Sequence, residues 1–85
     1  MKDDHTLDYV LESLSNWVDT HHKAKALYEK LMHHSYKNEE DFARALSAEE
    51  AHFLSDVLSE EINYAEQAGD KVRLGQLNDM YEQLY

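Results

Sequence analysis

The strongest constraint on the fold is the near absence of residues that break a helix. The chain has 85 residues, with no proline and only two glycines. A β-sheet protein needs a turn about every ten residues, and turns draw heavily on glycine and proline. The sequence therefore predicts an all-α protein, a small helical bundle with few, long helices. A chain of this length is expected to form a single helical domain over residues 1–85.

An apolar stripe at the start of the chain predicts a long amphipathic first helix. Written as heptads, one seam position holds Leu7, Leu14, His21 and Tyr28, and the other holds Val10, Trp17, Ala24 and Leu31. The phase does not slip between residues 5 and 35, which favours one unbroken helix about 46 Å long. A globule of this size is only about 30 Å wide. The alternative is therefore a kink or break near residues 19–22, where helix propensity is weakest.

Capping signals predict where the following helices begin. Asn38 precedes an acidic first turn, which favours a short helix over residues 39–46. Ser47 and Glu50 have the spacing of a capping box, in which a serine hydroxyl and a glutamate each satisfy a free backbone N–H. A long helix should start immediately after Ser47.

Residues 47–84 are predicted to form a helical hairpin. Gly69 can end the first of its two helices, because glycine adopts the left-handed conformation that closes many helices. Gly75 lies inside the second helix, and we expect a neighbouring backbone to approach it closely.

The charge balance disfavours two classes of partner. The chain has 18 Asp and Glu against 8 Lys and Arg, a formal net charge of -10. Nucleic acids are bound mainly through Lys and Arg that displace counterions, so nucleic acid is an unlikely partner, and an anionic membrane surface is disfavoured for the same reason. There is no cysteine and no apolar run of membrane-spanning length. We expect a cytoplasmic protein with no membrane contact.

No pattern of catalytic residues is recognisable. The chain has no glycine-rich phosphate loop, and its serines fall in helical or capping positions rather than at a sharp strand-to-helix turn. Paired carboxylates such as Glu60-Glu61 are typical of a solvated helix face. The prediction is that the protein is not an enzyme, with no catalytic, cofactor-binding or metal-binding residue to assign.

Six histidines keep a second hypothesis open, a small metal- or ligand-carrying bundle. Glu49 and His52 have the Glu-x-x-His spacing of di-iron bundles. The nearest second pair, Glu29 and His33, is one residue too far apart, and such sites need two further glutamates. Metal binding is therefore the less favoured alternative.

The apolar face of the first helix is the candidate interaction site. A core of this size is marginal on its own, so we expect a second copy to cover part of the stripe in a homodimer or small homo-oligomer. An unidentified protein partner is the other candidate. His21 should be buried and neutral, with compactness lost below about pH 6, because burial disfavours the charged imidazole. The candidate interaction residues are Leu7, Val10, Leu11, Leu14, Trp17, Val18 and His21.

Short helical motifs occur in a distinctive order over residues 6–84. They are Leu7-Asp8-Tyr9, Glu12-Ser13-Leu14-Ser15-Asn16, Tyr36-Lys37-Asn38-Glu39-Glu40-Asp41-Phe42, Phe53-Leu54, Val57-Leu58, Glu61-Ile62, Tyr64-Ala65 and Leu77-Asn78-Asp79-Met80-Tyr81-Glu82. In order and spacing they resemble the sigma-G-dependent, sporulation-specific acid-soluble spore proteins of endospore-forming bacilli. The resemblance implies expression in the forespore, a place in the forespore or spore core, and no enzymatic activity. We therefore expect a non-enzymatic, self-associating interaction module of sporulation.

Overall fold

The computed structural model describes residues 5–84, which form five α-helices and no strand. The all-α prediction is confirmed. Within these residues no helix is both long enough and apolar enough to cross a bilayer. The helices are α1 (Thr6–Ser15), α2 (His22–His33), α3 (Glu39–Arg44), α4 (Ala48–Ala68) and α5 (Lys71–Glu82).

The five helices share one apolar core. The α4–α5 hairpin packs against α1, which also lies against α2, while α3 packs on α5. The resulting bundle measures 33 × 30 × 22 Å. Burying a leucine or phenylalanine side chain contributes about 1.5–3 kcal/mol, so these residues supply most of the driving force for folding. The buried core residues are Val10, Leu14, Ala24, Leu27, Leu31, Phe42, Leu54, Leu58, Leu77 and Met80.

The favoured unbroken first helix is wrong, and the alternative of a break is what the chain adopts. The α1 helix ends at Ser15, and α2 begins at His22 after a turn. A straight rod of about 46 Å would extend past a bundle whose longest dimension is 33 Å. By folding back, the chain buries Val10 and Leu14 completely within its own core. We call residues 16–21 the bend.

The predicted capping signals are confirmed at both helix starts. The Asn38 side-chain carbonyl accepts the Asp41 backbone N–H at 3.0 Å. At α4 the capping box is complete, because the Ser47 hydroxyl accepts the Glu50 N–H at 3.1 Å and the Ser47 N–H donates to the Glu50 carboxylate at 2.8 Å. The α3 helix ends at Arg44, two residues earlier than predicted.

The predicted helical hairpin over residues 47–84 is also confirmed. Gly69 closes α4 in the left-handed conformation, with φ of 71°. Asp70 then caps α5 by accepting the Arg73 backbone N–H at 3.1 Å. The expected close approach at Gly75 is wrong, since a Cβ added there would meet nothing within 4 Å.

Candidate functional site at the bend

A groove lies where the bend faces the end of α4 and the start of α5. Its volume is about 580 Å³, and we call it the bend groove. Aromatic, small and polar side chains all contribute to its lining. The residues that define it here are Trp17, His21, Glu61, Tyr64, Ala68 and Arg73.

A buried carboxylate holds the groove together. Glu61 is 5% exposed and accepts three hydrogen bonds. The donors are the Asn16 side-chain amide at 3.2 Å, the Trp17 indole N–H at 3.3 Å and the Arg73 guanidinium at 3.1 Å. Because these donors lie on the bend and on α5, Glu61 joins both to α4. Each hydrogen bond to a charged group contributes about 1.5–3 kcal/mol, which makes this the principal polar contact between the three segments.

Arg73 extends this network along α1. Its guanidinium donates to Glu12 and, at 3.1 Å, to the Ser13 hydroxyl, and it lies 6.0 Å from the centre of the Tyr9 ring. Desolvation by burial acts to lower the pKa of Arg73, but the hydrogen bonds and charges of Glu12 and Glu61 outweigh it and raise that pKa. Arg73 therefore stays charged and serves to position α1 on the hairpin.

His21 occupies the exposed rim of the groove, so the prediction of a buried histidine is wrong. The residue precedes α2 and has extended backbone, with φ of -135° and ψ of 120°, which brings it to the surface. Its ring centre lies 5.1 Å from that of Trp17 and 6.0 Å from that of Phe53. Its Nδ1 lies 2.8 Å from the Thr20 hydroxyl oxygen. The expected loss of compactness below pH 6 loses its premise, because His21 is not desolvated.

The structure divides the seven candidate interaction residues among three environments. Val10 and Leu14 are fully buried in the core and present no surface. Leu7, Leu11 and Val18 are partly buried, as is Trp17, and His21 is exposed. Trp17 and His21 are the members of the set that line the bend groove.

Sequence reasoning missed the partners of Trp17 and His21. Tyr64, which is 59% exposed, was not among the candidate interaction residues, and Glu61 was assigned to a solvated helix face. A signal for Glu61 was present, because it lies three residues after the buried Leu58 and four before the buried Ala65, on the core side of α4.

The histidine and carboxylate pairs do not converge on a metal site. The Glu49 carboxylate lies 2.8 Å from the Lys23 ammonium, whose hydrogen bond lowers the pKa of Glu49. His52 Nε2 instead lies 3.8 Å from Asp56 on the next turn. Over residues 5–84 no three His, Asp or Glu side chains are grouped so as to hold a metal ion.

Comparisons with known proteins give two matches. Residues 3–85 match the family model described as CsgA, minor curli fiber component A. The chain is also 40% identical over 81 residues to a protein of Bacillus subtilis (strain 168) described as a sigma-G-dependent sporulation-specific SASP protein. That alignment covers 95% of this chain and 98% of the relative. No solved structure matches the chain.

Proposed function

The chain belongs to the family of the sigma-G-dependent sporulation-specific SASP protein, and on that premise we propose that it acts without catalysis, as a self-associating module of the forespore or spore. It belongs as well to the family whose model is described as minor curli fiber component A. The two descriptions name different roles. We base the proposal on the sporulation protein, because that match is to one protein over 98% of its length.

The observation that carries the proposal is the aromatic character of the bend groove. Tyr64 is among the most exposed large apolar side chains of the described residues, and it lines the same groove as the partly buried Trp17. Aromatic residues with one polar end are enriched at protein interfaces. In a two-fold pair the same patch meets itself, so each Tyr64 can enter the groove of the other copy.

The charges in the groove floor are compatible with a second copy of the chain as the occupant of the groove. Glu61 is already paired with Arg73 at 3.1 Å and receives two further hydrogen bonds. A second copy can therefore cover the floor without stranding a lone charge, which would cost several kcal/mol. The other charges of the chain, including that of Asp70 in the groove lining, oppose the approach of a second copy, and salt screens this repulsion.

The direction of three pKa shifts indicates structural ion pairs at the groups concerned. A general acid or base works best when its pKa lies near neutrality. The pKa of Arg73 is raised, and those of Glu49 and Glu50 are lowered, so each of these groups is held more firmly in its charged form. Among the described residues these shifts favour structural ion pairs over proton transfer.

Sedimentation velocity over a range of concentrations tests the proposal. We expect a monomer–dimer equilibrium for the natural chain and a monomer for Tyr64→Asp. Val72→Asp is the matched control, because Val72 is 64% exposed, lies outside the groove and acquires the same charge. It should dimerise like the natural chain. A natural chain that stays monomeric up to millimolar concentration would refute self-association.

The metal-carrier alternative is tested with the same samples. A ligand that binds the native state raises the melting temperature. We expect no change on adding zinc or ferrous iron, and an increase that depends on metal concentration would favour the carrier hypothesis.

A further inference from the structure

We propose that the bend is a hinge that opens into one continuous helix, so that α1 of one copy takes the place of α1 in a second copy. This inference rests on the proposed self-association and specifies its mode. It follows from a conflict within the molecule, because the heptad phase runs unbroken through residues that the fold bends. The same residues therefore support two backbone arrangements.

The bend lacks the features of a fixed turn. Residues 16–21 contain no glycine or proline, and among the described residues only Gly69 has positive φ. The Trp17 backbone N–H donates to the Leu14 carbonyl at 2.9 Å. The His21 backbone N–H donates to the Trp17 carbonyl at 3.0 Å, which is the four-residue spacing of an α-helix. Asn16 has helical backbone angles, whereas His21 is extended. Straightening the hinge therefore needs a change of backbone dihedral angles at His21.

Two hydrogen bonds to Glu61, the packing of Trp17 against the core and a few surface contacts hold the bend closed. Besides the hydrogen bonds to Glu61, the Thr20 hydroxyl donates to the Trp17 carbonyl at 3.3 Å, and the His21 ring lies near Phe53. Thr20 and His21 are both exposed, so water competes for these contacts. Helix formation across the hinge compensates for their loss when it opens.

The rest of the interface is unchanged by exchange. In the closed chain α1 buries Val10 and Leu14, and Arg73 donates to Ser13. In the exchanged dimer each α1 makes the same contacts with the α2, α4 and α5 helices of the other copy. The monomer and the exchanged dimer then differ mainly at the hinge, which is the usual energetics of domain swapping.

When α1 leaves its own core, the geometry requires α1 of a second copy to take its place. One helix running from α1 through α2 would be roughly 42 Å long. The closed bundle extends 33 Å at most, so an opened α1 leaves its own core and exposes it. The surface that this opening uncovers on α4 and α5 is complementary to α1 of this same sequence. The two hinges lie together at the two-fold axis.

Two double variants isolate the helix preference of the hinge. Thr20→Ala/His21→Ala and Thr20→Gly/His21→Gly delete the same side-chain contacts, but only the alanine pair favours a straight helix. Alanine is favoured over glycine in a helix by about fivefold per residue. A dimer has four substituted hinge positions, two in each chain. If the factors multiply, the alanine variant should dimerise up to several hundred-fold more tightly than the glycine variant, on the order of five to the fourth power. Equal dissociation constants for the two variants would contradict the hinge.

A cross-linking experiment tests the exchange directly. Thr6 on α1 donates a hydrogen bond to Gln76 on α5, and the chain has no cysteine of its own. Chains carrying Thr6→Cys and a mass tag are mixed with chains carrying Gln76→Cys, and the mixture is oxidised. A disulfide-linked heterodimer in excess over both homodimers requires α1 of one chain to lie on α5 of the other. We expect that product, and its yield should rise in the alanine hinge background.

The two proposals fail in different ways. If the natural chain dimerises but the heterodimer does not exceed the homodimers, exchange is wrong and self-association stands. If the natural chain remains monomeric at every concentration, both proposals are wrong. In the double-cysteine chain, Thr6→Cys/Gln76→Cys, an intrachain disulfide verifies that the two positions can be linked.

Discussion

Among single residues, Glu61 has the largest role, because one buried carboxylate serves the bend, α4 and α5. Replacing its partner by Arg73→Met leaves Glu61 with hydrogen bonds from Asn16 and Trp17 but without a countercharge. Removing one member of a buried ion pair costs about 3–5 kcal/mol, so we expect a loss of that order in the free energy of unfolding. Urea denaturation followed by circular dichroism measures it.

The double variant Glu61→Met/Arg73→Met is the control for this prediction. It removes both charges and replaces them with apolar side chains, which is often nearly neutral for stability. We expect it to regain part of the stability lost in Arg73→Met, because no charge is left unpaired although the Asn16 and Trp17 donors lose their acceptor. An Arg73→Met chain as stable as the natural one would show that Glu61 is adequately solvated without its partner.

The two glycines should respond in opposite directions to the same substitution. Gly75 lies within α5 with open space around it, so Gly75→Ala should stabilise the fold by about 0.5–1 kcal/mol. Gly69 has φ of 71°, where an L-residue is strained, so Gly69→Ala should destabilise it by about 1–2 kcal/mol. Thermal and urea unfolding of the two variants provide the comparison, and changes of the same sign would contradict the assigned backbone conformations.

Among the helices, α4 begins at a capping box whose contribution to stability depends on pH. The backbone N–H of Ser47 lowers the pKa of Glu50, burial opposes this, and Lys30 adds to the lowering. A folded-state pKa below the ordinary value of 4.5 means that the charged form stabilises the fold above that pH. The contribution is lost as the pH falls from about 4.5 through the lowered pKa.

The variant Glu50→Gln tests that linkage. Its deficit in free energy of unfolding relative to the natural chain should be full at pH 7 and should narrow below about pH 4.5, since protonation removes the advantage of the charge. Glu60→Gln, at an exposed position of the same helix, should show little deficit at either pH. A Glu50→Gln deficit that does not change with pH would mean that the charge of Glu50 is irrelevant to the cap.

A feature of this fold can be predicted from the sequence when the residues that determine it lie close together along the chain. The cap at Asn38 and the box at Ser47 involve residues three apart, so both helix starts were predictable. The bend could be given only as the less favoured alternative, because a heptad pattern has the same phase in a straight helix and in one that breaks and resumes. What selects the break is the burial of Val10 and Leu14 against helices that come much later in the chain.

The candidate site follows the same rule. Trp17 and His21 were recognised from the apolar stripe, but the carboxylate that receives the Trp17 indole N–H is 44 residues further on. Nothing in the local pattern joins Trp17 to Glu61. The bend groove exists because the chain folds back, so it could be described only once the position of α4 relative to the bend was known.

For the protein in solution, net charge sets the conditions under which copies can meet. The formal charge is -10 at neutral pH, and with all 18 carboxylates protonated the 8 Lys and Arg and the 6 His leave about +14. At low pH all copies carry this high positive charge, and their mutual repulsion keeps the chain dissolved. This accounts for the acid solubility in the family name. The same repulsion acts between two copies at neutral pH.

Association should therefore strengthen with salt. The Debye length falls from about 30 Å at 0.01 M to about 3 Å at 1 M ionic strength, which screens repulsion between two copies of charge -10. Burial of apolar surface does not weaken in sodium chloride, so the dimer dissociation constant at pH 7 should fall as salt is added. Sedimentation velocity at 0.05, 0.15 and 1 M salt, roughly spanning that range of screening, would measure the trend.

The double variant Glu60→Gln/Glu82→Gln provides the matched control for the salt effect. Both positions are exposed and lie outside the bend groove, so the change lowers the net charge without altering the proposed interface. It should dimerise more tightly than the natural chain at low salt, and its response to added salt should be smaller. If salt instead weakens the dimer of the natural chain, ion pairs between copies that the monomer lacks must hold it together, and an interface built on Tyr64 and an exchanged α1 would be wrong.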